Sequence, residues 1–235
     1  MGSPLLSYYV RLTDFLGRAL GPDYEVALHD LTDHNCSIIA IANNHISGRE
    51  VGAPLTNVGL KVLKDGSYEE TDYLLHYPGL SASGKALRSS TFFIKDGGRL
   101  VGMLCINFDD SRYQAASQMI LQLCHPDNFV ETSFQFDTDR TGDMHLSSAE
   151  RFHNSIHGVT GDAVARELSR MGMSADHLTS EERMSIIAAL EPQGIFLLKG
   201  AVKEVSDALQ CSQATIYRYL TQVRKEPVEA VGVDS

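Results

Sequence analysis

The stretch that decides how this 235-residue chain is interpreted is Val202–Leu220, with the sequence VKEVSDALQCSQATIYRYL. Apolar side chains recur in it every three or four residues, as they do along one face of a helix. Those of the first half are Val202, Val205 and Leu209, and those of the second half and its continuation are Ile216, Leu220 and Val223. Ser212 is well suited to cap the second half. Two short helices joined by a tight turn are therefore predicted, which is the helix-turn-helix arrangement.

The outward face of the second helix has the composition of a DNA-reading surface. No acidic residue occurs between Ser212 and Lys225, although the formal net charge of the whole chain is −10. Gln and Arg side chains hydrogen-bond base edges, while hydroxyls and terminal cations hold phosphates. The predicted DNA-binding residues are Ser212, Gln213, Ala214, Thr215, Tyr217, Arg218 and Thr221. The expected partner is a double-stranded DNA operator, and since one short helix reads few base pairs, we expect a homodimer.

Two further helices are predicted before this motif. Residues 162–171 have helical apolar spacing and end at Gly172. Thr179 and Glu182 then form a capping-box pattern ahead of a second amphipathic run, which Pro192 ends. Residues 161–235 are accordingly predicted to be a small all-α domain.

The first half of the chain alternates between strand and helix patterns. Helices are predicted at Leu5–Leu20, Leu55–Leu63 and Arg112–Leu123, and strands at Glu25–Leu31, Ser37–Ala42, Tyr73–Tyr77, Leu87–Ile94 and Leu100–Phe108. The fold class is therefore α+β: an antiparallel sheet of about five strands with helices to one side, followed by the helical domain. The predicted boundaries are 1–124 for the sheet domain and 125–160 for a polar linker. The helices at 5–20 and 112–123 are candidates for the dimer contact.

Composition limits the class of protein. A strongly acidic chain does not coat nucleic acid with its whole surface, but its net charge does not exclude one local basic surface. No apolar run approaches the roughly 18 residues of a membrane span, so no membrane partner is expected. The first residues lack the features of a signal peptide, which favours a cytoplasmic location. The four cysteines form no CxxC pair.

Four stretches resemble the family of YheO-like PAS regulators. They are Glu25–Asp30 (EVALHD), Ile41–Arg49 (IANNHISGR), Leu87–Ile94 (LRSSTFFI) and Cys105–Asp109 (CINFD). The C-terminal helices are similar to that family's helix-turn-helix. The resemblance implies a PAS-like sensor domain and a dimeric transcriptional regulator.

Polar side chains in the sensor region form a candidate effector site. Convergent polar groups in a small sheet domain often mark a pocket, because burial without partners is costly. The candidates are His29, Asn43, His45, Ser47, Arg49, Arg88, Ser89, Ser90, Thr91 and Asn107. Either Arg49 or Arg88 is suited to bind a carboxylate, so a small amino-acid-like or organic-acid effector is expected. The alternative is that these residues are ordinary loop and strand positions.

Catalytic and metal patterns are absent from the sequence. There is no GxSxG, P-loop or dinucleotide fingerprint, so we expect neither an enzyme nor a cofactor. His153 and His157 have the spacing of metal ligands, but no third ligand is near, and a solvated pair is favoured over a metal site. The remaining alternative is a non-enzymatic sensor or adaptor that acts through protein partners and uses its C-terminal helices for dimerisation.

Overall fold

The computed structural model describes residues 4–124 and 149–225, and these divide into two compact units. The first, here called the sheet unit, contains residues 4–33, 37–52, 68–124 and 149–152. The second, here called the helical unit, contains residues 34–36, 53–67 and 153–225. The chain therefore enters and leaves the helical unit twice before its main C-terminal part begins.

The described residues contain seven α-helices, three short 3-10 helices (Ser67–Glu69, Ala175–His177 and Ile195–Leu197) and six strands. In chain order the α-helices and strands are α1 (Leu6–Leu20), β1 (Tyr24–Asp30), β2 (Ile38–Ala42), α2 (Asn57–Asp65), β3 (Tyr73–Leu80), β4 (Ala86–Asp96), β5 (Arg99–Phe108), α3 (Ser111–Cys124), β6 (Glu150–Arg151), α4 (Ile156–Met171), α5 (Ser180–Leu190), α6 (Ala201–Ala208) and α7 (Gln213–Lys225). The predicted α+β class, a sheet domain followed by a helical one, is confirmed.

The sheet unit is built on one sheet with the strand order β2-β1-β5-β4-β3-β6. All pairs are antiparallel except β3 with β6. Helix α1 packs on this sheet through Leu6, which joins a buried cluster with Val26, Leu28, Ile94 and Leu104. The buried face of the sheet and the amphipathic helix α1 form this core. Strands β1, β4 and β5 contribute to it, so their polar side chains are carried on rigid elements.

The helical unit is ordered by local signals that the sequence displays. The predicted capping box is present, since the Thr179 side chain accepts from Glu182 N and the Glu182 side chain accepts from Thr179 N. Helix α4 ends at Gly172, whose φ of 65° is the left-handed conformation that glycine adopts without steric cost. The core of the helical unit includes Ile187, Leu190 and Val205, all fully buried.

The structure differs from the sequence-based boundaries in two places. Residues 149–160, predicted as the end of the linker, form strand β6 and the first turn of α4, and Phe152 is buried with Ile46 and Leu87. A two-residue strand is too short to show any alternation, which is why the pattern missed it. Residues 34–36 and 53–67, predicted within the sensor domain, belong to the helical unit. Residues 125–148 of the predicted linker lie outside the described residues.

Candidate functional sites

Helices α6 and α7 meet as the sequence predicts. The turn between them is closed by a hydrogen bond from Cys211 N to Ser206 O at 3.0 Å. Gln210 in this turn has a φ of 50°, which lets the chain reverse within few residues. Ile216 and Leu220 face inward and are buried. The pair therefore has the geometry of a helix-turn-helix, with α7 in the place of the recognition helix.

Ser212 starts α7 as a cap. Its Oγ accepts a hydrogen bond from Thr215 N at 3.2 Å and lies 2.9 Å from Thr215 Oγ1. A capped first turn holds the beginning of a recognition helix in one conformation, and this is the part of the helix that meets base edges. The cap predicted at Ser212 is confirmed.

The outward face of α7 is exposed at the predicted positions. Five of the predicted DNA-binding residues are exposed on this helix: Gln213, Ala214, Tyr217, Arg218 and Thr221. Thr215 is half-buried through its contact with Ser212. Arg218 is exposed, and its guanidinium lies 5.2 Å from the centre of the Tyr219 ring, within the range of a cation–π contact.

A groove of about 360 Å³ runs beside α7. Three cationic side chains line it: Lys199, Lys203 and Arg224. Its floor includes Leu198 and Leu220, and none of the described residues that line it is acidic. Lys199 lies just before α6 and Lys203 lies on it. Sequence reasoning missed both, because two isolated lysines in a mixed-charge stretch give no signal until the helices are packed.

The sheet unit holds a buried chain of polar side chains, here called the Glu25 cluster: Glu25, Ser47, Ser89 and Asn107. Ser47 donates to Glu25 Oε2 through its hydroxyl at 2.6 Å and its backbone N at 3.1 Å. Asn107 Nδ2 donates to Glu25 Oε1 at 2.8 Å, and Ser89 Oγ donates to Asn107 Oδ1 at 2.8 Å. All four residues are buried. Three of the predicted ligand-binding residues are thus brought together around a carboxylate.

Burial sets the charge behaviour of this interior. Burial raises the pKa of Glu25 above its ordinary 4.5, although hydrogen bonds from Ser47 and Asn107 act to lower it. Burial also lowers the pKa of His29, and the positive charge of Arg49 adds to that effect. Arg49 is itself buried, with its guanidinium 5.9 Å from the centre of the Phe152 ring. Burial lowers the pKa of Arg49 below its ordinary value, although attraction to Glu150 and Glu25 acts to raise it.

The other predicted ligand residues lie apart from the Glu25 cluster or have structural contacts. Asn43 Nδ2 donates to Gly17 O at 3.0 Å, Gly21 O at 3.0 Å and Tyr24 O at 2.7 Å, so it ties α1 to β1. His45 is exposed, and Arg88 is exposed with its guanidinium 5.3 Å from the centre of the Phe108 ring.

Strand β4 carries two further candidates, Ser90 and Thr91, whose partners lie on β3. Ser90 Oγ accepts from His76 N at 3.1 Å, and Thr91 Oγ1 lies 2.7 Å from Tyr77 Oη. Buried His29 lies with its Nδ1 2.9 Å from Ser37 Oγ.

Two acidic residues of this interior were missed by sequence reasoning. Glu25 directly precedes three fully buried apolar residues of β1, Val26, Ala27 and Leu28, and a charge beside such a run is a signal that the sequence did contain. Glu150 is buried on β6, which no pattern predicts. Electrostatic attraction to both acids acts to raise the pKa of Arg49.

Neither metal binding nor membrane insertion is indicated in the described part of the chain. Residues 4–124 and 149–225 contain no group of three or more His, Cys, Asp or Glu residues arranged to hold a metal ion. His157 Nδ1 lies 2.7 Å from Glu204 Oε2, and His153 Nε2 lies 3.8 Å from Asp162 Oδ2. Within the same residues, every helix is too short or too polar to cross a bilayer.

Comparison with known proteins agrees with both parts of this description. Residues 2–125 match the YheO-like PAS domain, and residues 161–221 match an HTH domain. The chain is 27% identical over 221 residues to the uncharacterized protein YheO of Escherichia coli K12, covering 94% of this chain and 85% of that protein. It is 26% identical over 226 residues to the transcriptional regulator DauR of Pseudomonas aeruginosa, covering 94% and 96%. The chain therefore belongs to the family with a YheO-like PAS domain, here joined to a C-terminal HTH domain.

Proposed function

We propose that this protein is a transcriptional regulator that binds double-stranded DNA as a homodimer and changes its DNA affinity when a small effector binds the sheet unit. One observation carries the DNA-binding part. In a chain of net charge −10, the exposed face of α7 and the adjoining groove present Arg218, Lys199, Lys203 and Arg224 without an acidic lining residue. The matched HTH domain and the relative named transcriptional regulator DauR support the same role.

The roles of the α7 side chains follow from their chemistry. Gln213 and Arg218 lie on the exposed face near the start and middle of the helix, where side chains of a recognition helix meet base edges in the major groove. Lys199, Lys203 and Arg224 surround the groove beside it and are suited to hold backbone phosphates. Base contacts then give specificity, and the groove cations give affinity and salt dependence.

Selection from a random library of duplexes tests this role. The purified full-length chain should enrich one sequence, and its affinity should fall linearly with salt on a logarithmic scale, since phosphate contacts release counterions. A homodimer should enrich two related half-sites separated by about one helical turn, roughly 10 base pairs. Recovery of the unselected library after several rounds would contradict the proposal.

Helix α3 is the best-supported dimer contact. None of its residues in the described chain is buried, and Tyr113, Ile120 and Leu123 are each more than half exposed. With Ala116 they follow the 3-4-3 spacing of a coiled-coil seam. Light scattering of the double variant Ile120→Glu and Leu123→Glu should report a monomer, whereas the control Gln118→Glu should remain a dimer. A monomeric parent chain at micromolar concentration, with and without DNA, would refute the dimer.

The effector is proposed to be a small anion or zwitterion held through Arg49. Arg49 is buried near the Glu25 cluster and beside a second carboxylate, Glu150, whereas Arg88 is exposed and stacked on Phe108. A carboxylate ligand would take the place of Glu25 or Glu150 as the partner of this guanidinium, and the vacated acid would be suited to an amino group. This arrangement favours an amino-acid-like effector over a neutral one.

Calorimetry with a panel of amino acids and organic acids tests the effector. Arg49→Gln should abolish binding of any panel member that the parent binds, and the matched variant Arg88→Gln should retain it. Because Arg49 is buried, Ser89→Ala provides a milder second variant, with an expected loss of about fivefold in affinity for one hydrogen bond. Equal binding by the parent, Arg49→Gln and Ser89→Ala would place the effector elsewhere.

The second candidate function is an adaptor that acts through protein partners and uses α6 and α7 for dimerisation. The exposed Tyr217 is the observation that favours it, because an aromatic side chain on a helix face suits a protein interface as well as DNA. The two functions differ in salt dependence: DNA binding weakens steeply with salt, and contact through an apolar helix face does not.

A further inference from the structure

Two short segments of the region matched by the YheO-like PAS domain are built into the helical unit. They are residues 34–36, which follow β1, and residues 53–67, which contain α2. From their contacts we infer that Asn35 and Lys64 are positioning residues for DNA binding: Asn35 fixes the start of α6, and Lys64 fixes Arg224 on α7. The inference rests on the proposed DNA binding.

Asn35 makes a two-point contact with the backbone of Lys199. Its Nδ2 donates to Lys199 O at 2.9 Å, and Lys199 N donates to its Oδ1 at 3.0 Å. This pairing uses both ends of the side-chain amide, so it fixes the position and the orientation of that peptide. The next residue, Gly200, is the N-cap of α6 and offers no capping side chain. Asn35 thus holds the point from which α6 begins.

The position that Asn35 holds is part of the cationic groove. Lys199 and Gly200 line the groove, and so does Lys203 in the first turn of α6. A phosphate held there would have to meet the ammonium of Lys199 and the first N–H groups of α6 together, and both depend on the same peptide. Loss of Asn35 would leave these donors present and misaligned.

Helix α2 is a fixed part of the helical unit. Leu60 is fully buried, and a Cβ atom at Gly194 would lie 2.5 Å from Leu60 O, so this close approach requires glycine. Leu55 N donates to His34 O at 2.9 Å, which links the two inserted segments to each other. The helix therefore has a defined place from which Lys64 at its last turn can act.

Lys64 and Arg224 share one carboxylate oxygen. Lys64 Nζ lies 2.5 Å and Arg224 Nε lies 3.2 Å from Glu191 Oε1, and the Glu191 side chain is only 12% exposed. Burial acts to raise the pKa of Glu191, but hydrogen bonds from Lys64 and Arg224 outweigh it and hold the pKa below the ordinary 4.5. Glu191 is therefore ionised at neutral pH and orients both cations.

This arrangement prepares Arg224 for a phosphate. The guanidinium donates to Glu191 through Nε, and that bond leaves the terminal Nη donors of the fork to the groove that Arg224 lines. Lys64 offsets the negative charge of Glu191. Without Lys64, the carboxylate would attract Arg224 more strongly and repel a phosphate approaching it.

Both segments are covalently continuous with the sheet unit at each end. Displacement of the sheet unit at its junctions with these segments, at residues 33, 37, 52 and 68, would therefore reach Asn35 and Lys64 through short stretches of backbone. A single long linker would not transmit such a displacement. Asn35 and Lys64, which align the groove cations, thus lie within the same residues 2–125, matched by the YheO-like PAS domain, as the proposed effector site.

The test uses the full-length chain and the duplex that the parent chain selects from a random library. Asn35→Ala is compared with Asn44→Ala, because Asn44 Nδ2 also donates to a backbone carbonyl, that of Arg49, but in the sheet unit. Lys64→Ala is compared with Lys64→Arg, which keeps a cation for Glu191, and with Lys61→Ala, an exposed lysine of the same helix. Affinity is measured at several salt concentrations, and each variant is melted.

Asn35→Ala should weaken DNA binding by about fivefold to tenfold, from the loss of two hydrogen bonds that align the groove. Lys64→Ala should weaken it by about twofold to fivefold, as expected for a partly exposed pair, and Lys64→Arg should restore it. The slope of affinity against salt should fall by about one phosphate contact for either alanine variant. Asn44→Ala and Lys61→Ala should bind as the parent does.

A parent chain that selects no duplex would refute the proposed function, and the inference would fall with it. A parent that binds DNA while Asn35→Ala and Lys64→Ala match their controls in affinity and salt slope would overturn the inference alone. Should Asn35→Ala fail to fold, the Lys64 series decides the matter, because its substitutions lie at a partly exposed pair.

Discussion

The outward face of α7 and the Glu25 cluster are both rich in polar side chains, yet they meet opposite conditions. On α7, Gln213, Tyr217 and Arg218 are exposed to solvent. In the cluster, Glu25 and Asn107 are buried and hydrogen-bonded to protein groups. An incoming partner replaces only water on α7, whereas in the cluster it must replace bonds that the protein already makes.

This difference separates the energetics of the two proposed binding events, DNA binding on α7 and effector binding at the cluster. Side chains on α7 exchange only water for DNA. The sum of their contacts therefore sets the affinity for DNA, and this affinity depends on salt. A ligand entering the cluster must offer donors and acceptors that match those it displaces, because an unmatched buried group costs about 1–3 kcal/mol. The cluster therefore favours selectivity for one effector over high affinity for many.

The largest expected effect comes from placing a charge under α7. Ile216 is fully buried in the seam between α6 and α7, so Ile216→Asp should cost about 4 kcal/mol or more and unfold the helix-turn-helix. Thermal unfolding followed by circular dichroism measures it. The exposed control Gln222→Asp should melt as the parent does, and a normal melt for Ile216→Asp would show that this face is not the packed one.

A smaller loss is expected from breaking the Glu25 cluster. Asn107 accepts from Ser89 and donates to Glu25, so Asn107→Ala leaves two buried groups short of a partner. The expected cost is about 1–3 kcal/mol in the free energy of unfolding, measured by denaturant titration. Gln114→Ala, on the exposed helix α3, is the control. Equal stability of the two variants would mean that the hydrogen bonds of the cluster contribute little to the free energy of unfolding.

The two regions also differ in how far the sequence predicts them. The recognition face follows from helical spacing and from a local lack of acidic residues, both of which are contained in Ser212–Lys225. The Glu25 cluster joins residues from β1, β4, β5 and the loop after β2, so it depends on strand order and register, which no local pattern determines. Asn43 shows the limit: its amide holds three carbonyls of α1 and β1, a role that its loop composition does not reveal.

The helical cap provides a third and milder test. Ser212→Ala removes the acceptor for Thr215 N and should cost about 1 kcal/mol of stability. DNA affinity should fall with it, since the first turn of α7 frays. The control is Ser185→Ala, at an exposed position within α5, and equal stability of the two variants would show that the cap contributes nothing.

The smallest expected effect is a pH dependence that belongs to the cluster. Burial raises the pKa of Glu25 in the folded chain above its ordinary 4.5, so the protonated acid is favoured by folding. Its contribution to stability is fully present below pH 4.5 and is lost as the pH rises through the folded-state value. The stability of the parent relative to Glu25→Gln should therefore fall over that window.

Melting both proteins across a pH series measures this difference. The exposed Glu50→Gln serves as the control and should track the parent at every pH. A parent that instead gains stability relative to Glu25→Gln above pH 4.5 would mean that the hydrogen bonds from Ser47 and Asn107 outweigh burial.

The central claim is that α7 reads DNA through its exposed face, and Arg218 tests it most directly. The affinities of the parent, Arg218→Ala and the control Arg170→Ala, an exposed arginine of α4, are measured for the selected duplex and for a scrambled one at fixed salt. Arg218→Ala should lose about 1–3 kcal/mol, or roughly 5–150-fold, on the selected duplex and much less on the scrambled one. Arg170→Ala should bind both as the parent does. Unchanged affinity of Arg218→Ala for the selected duplex would contradict the account.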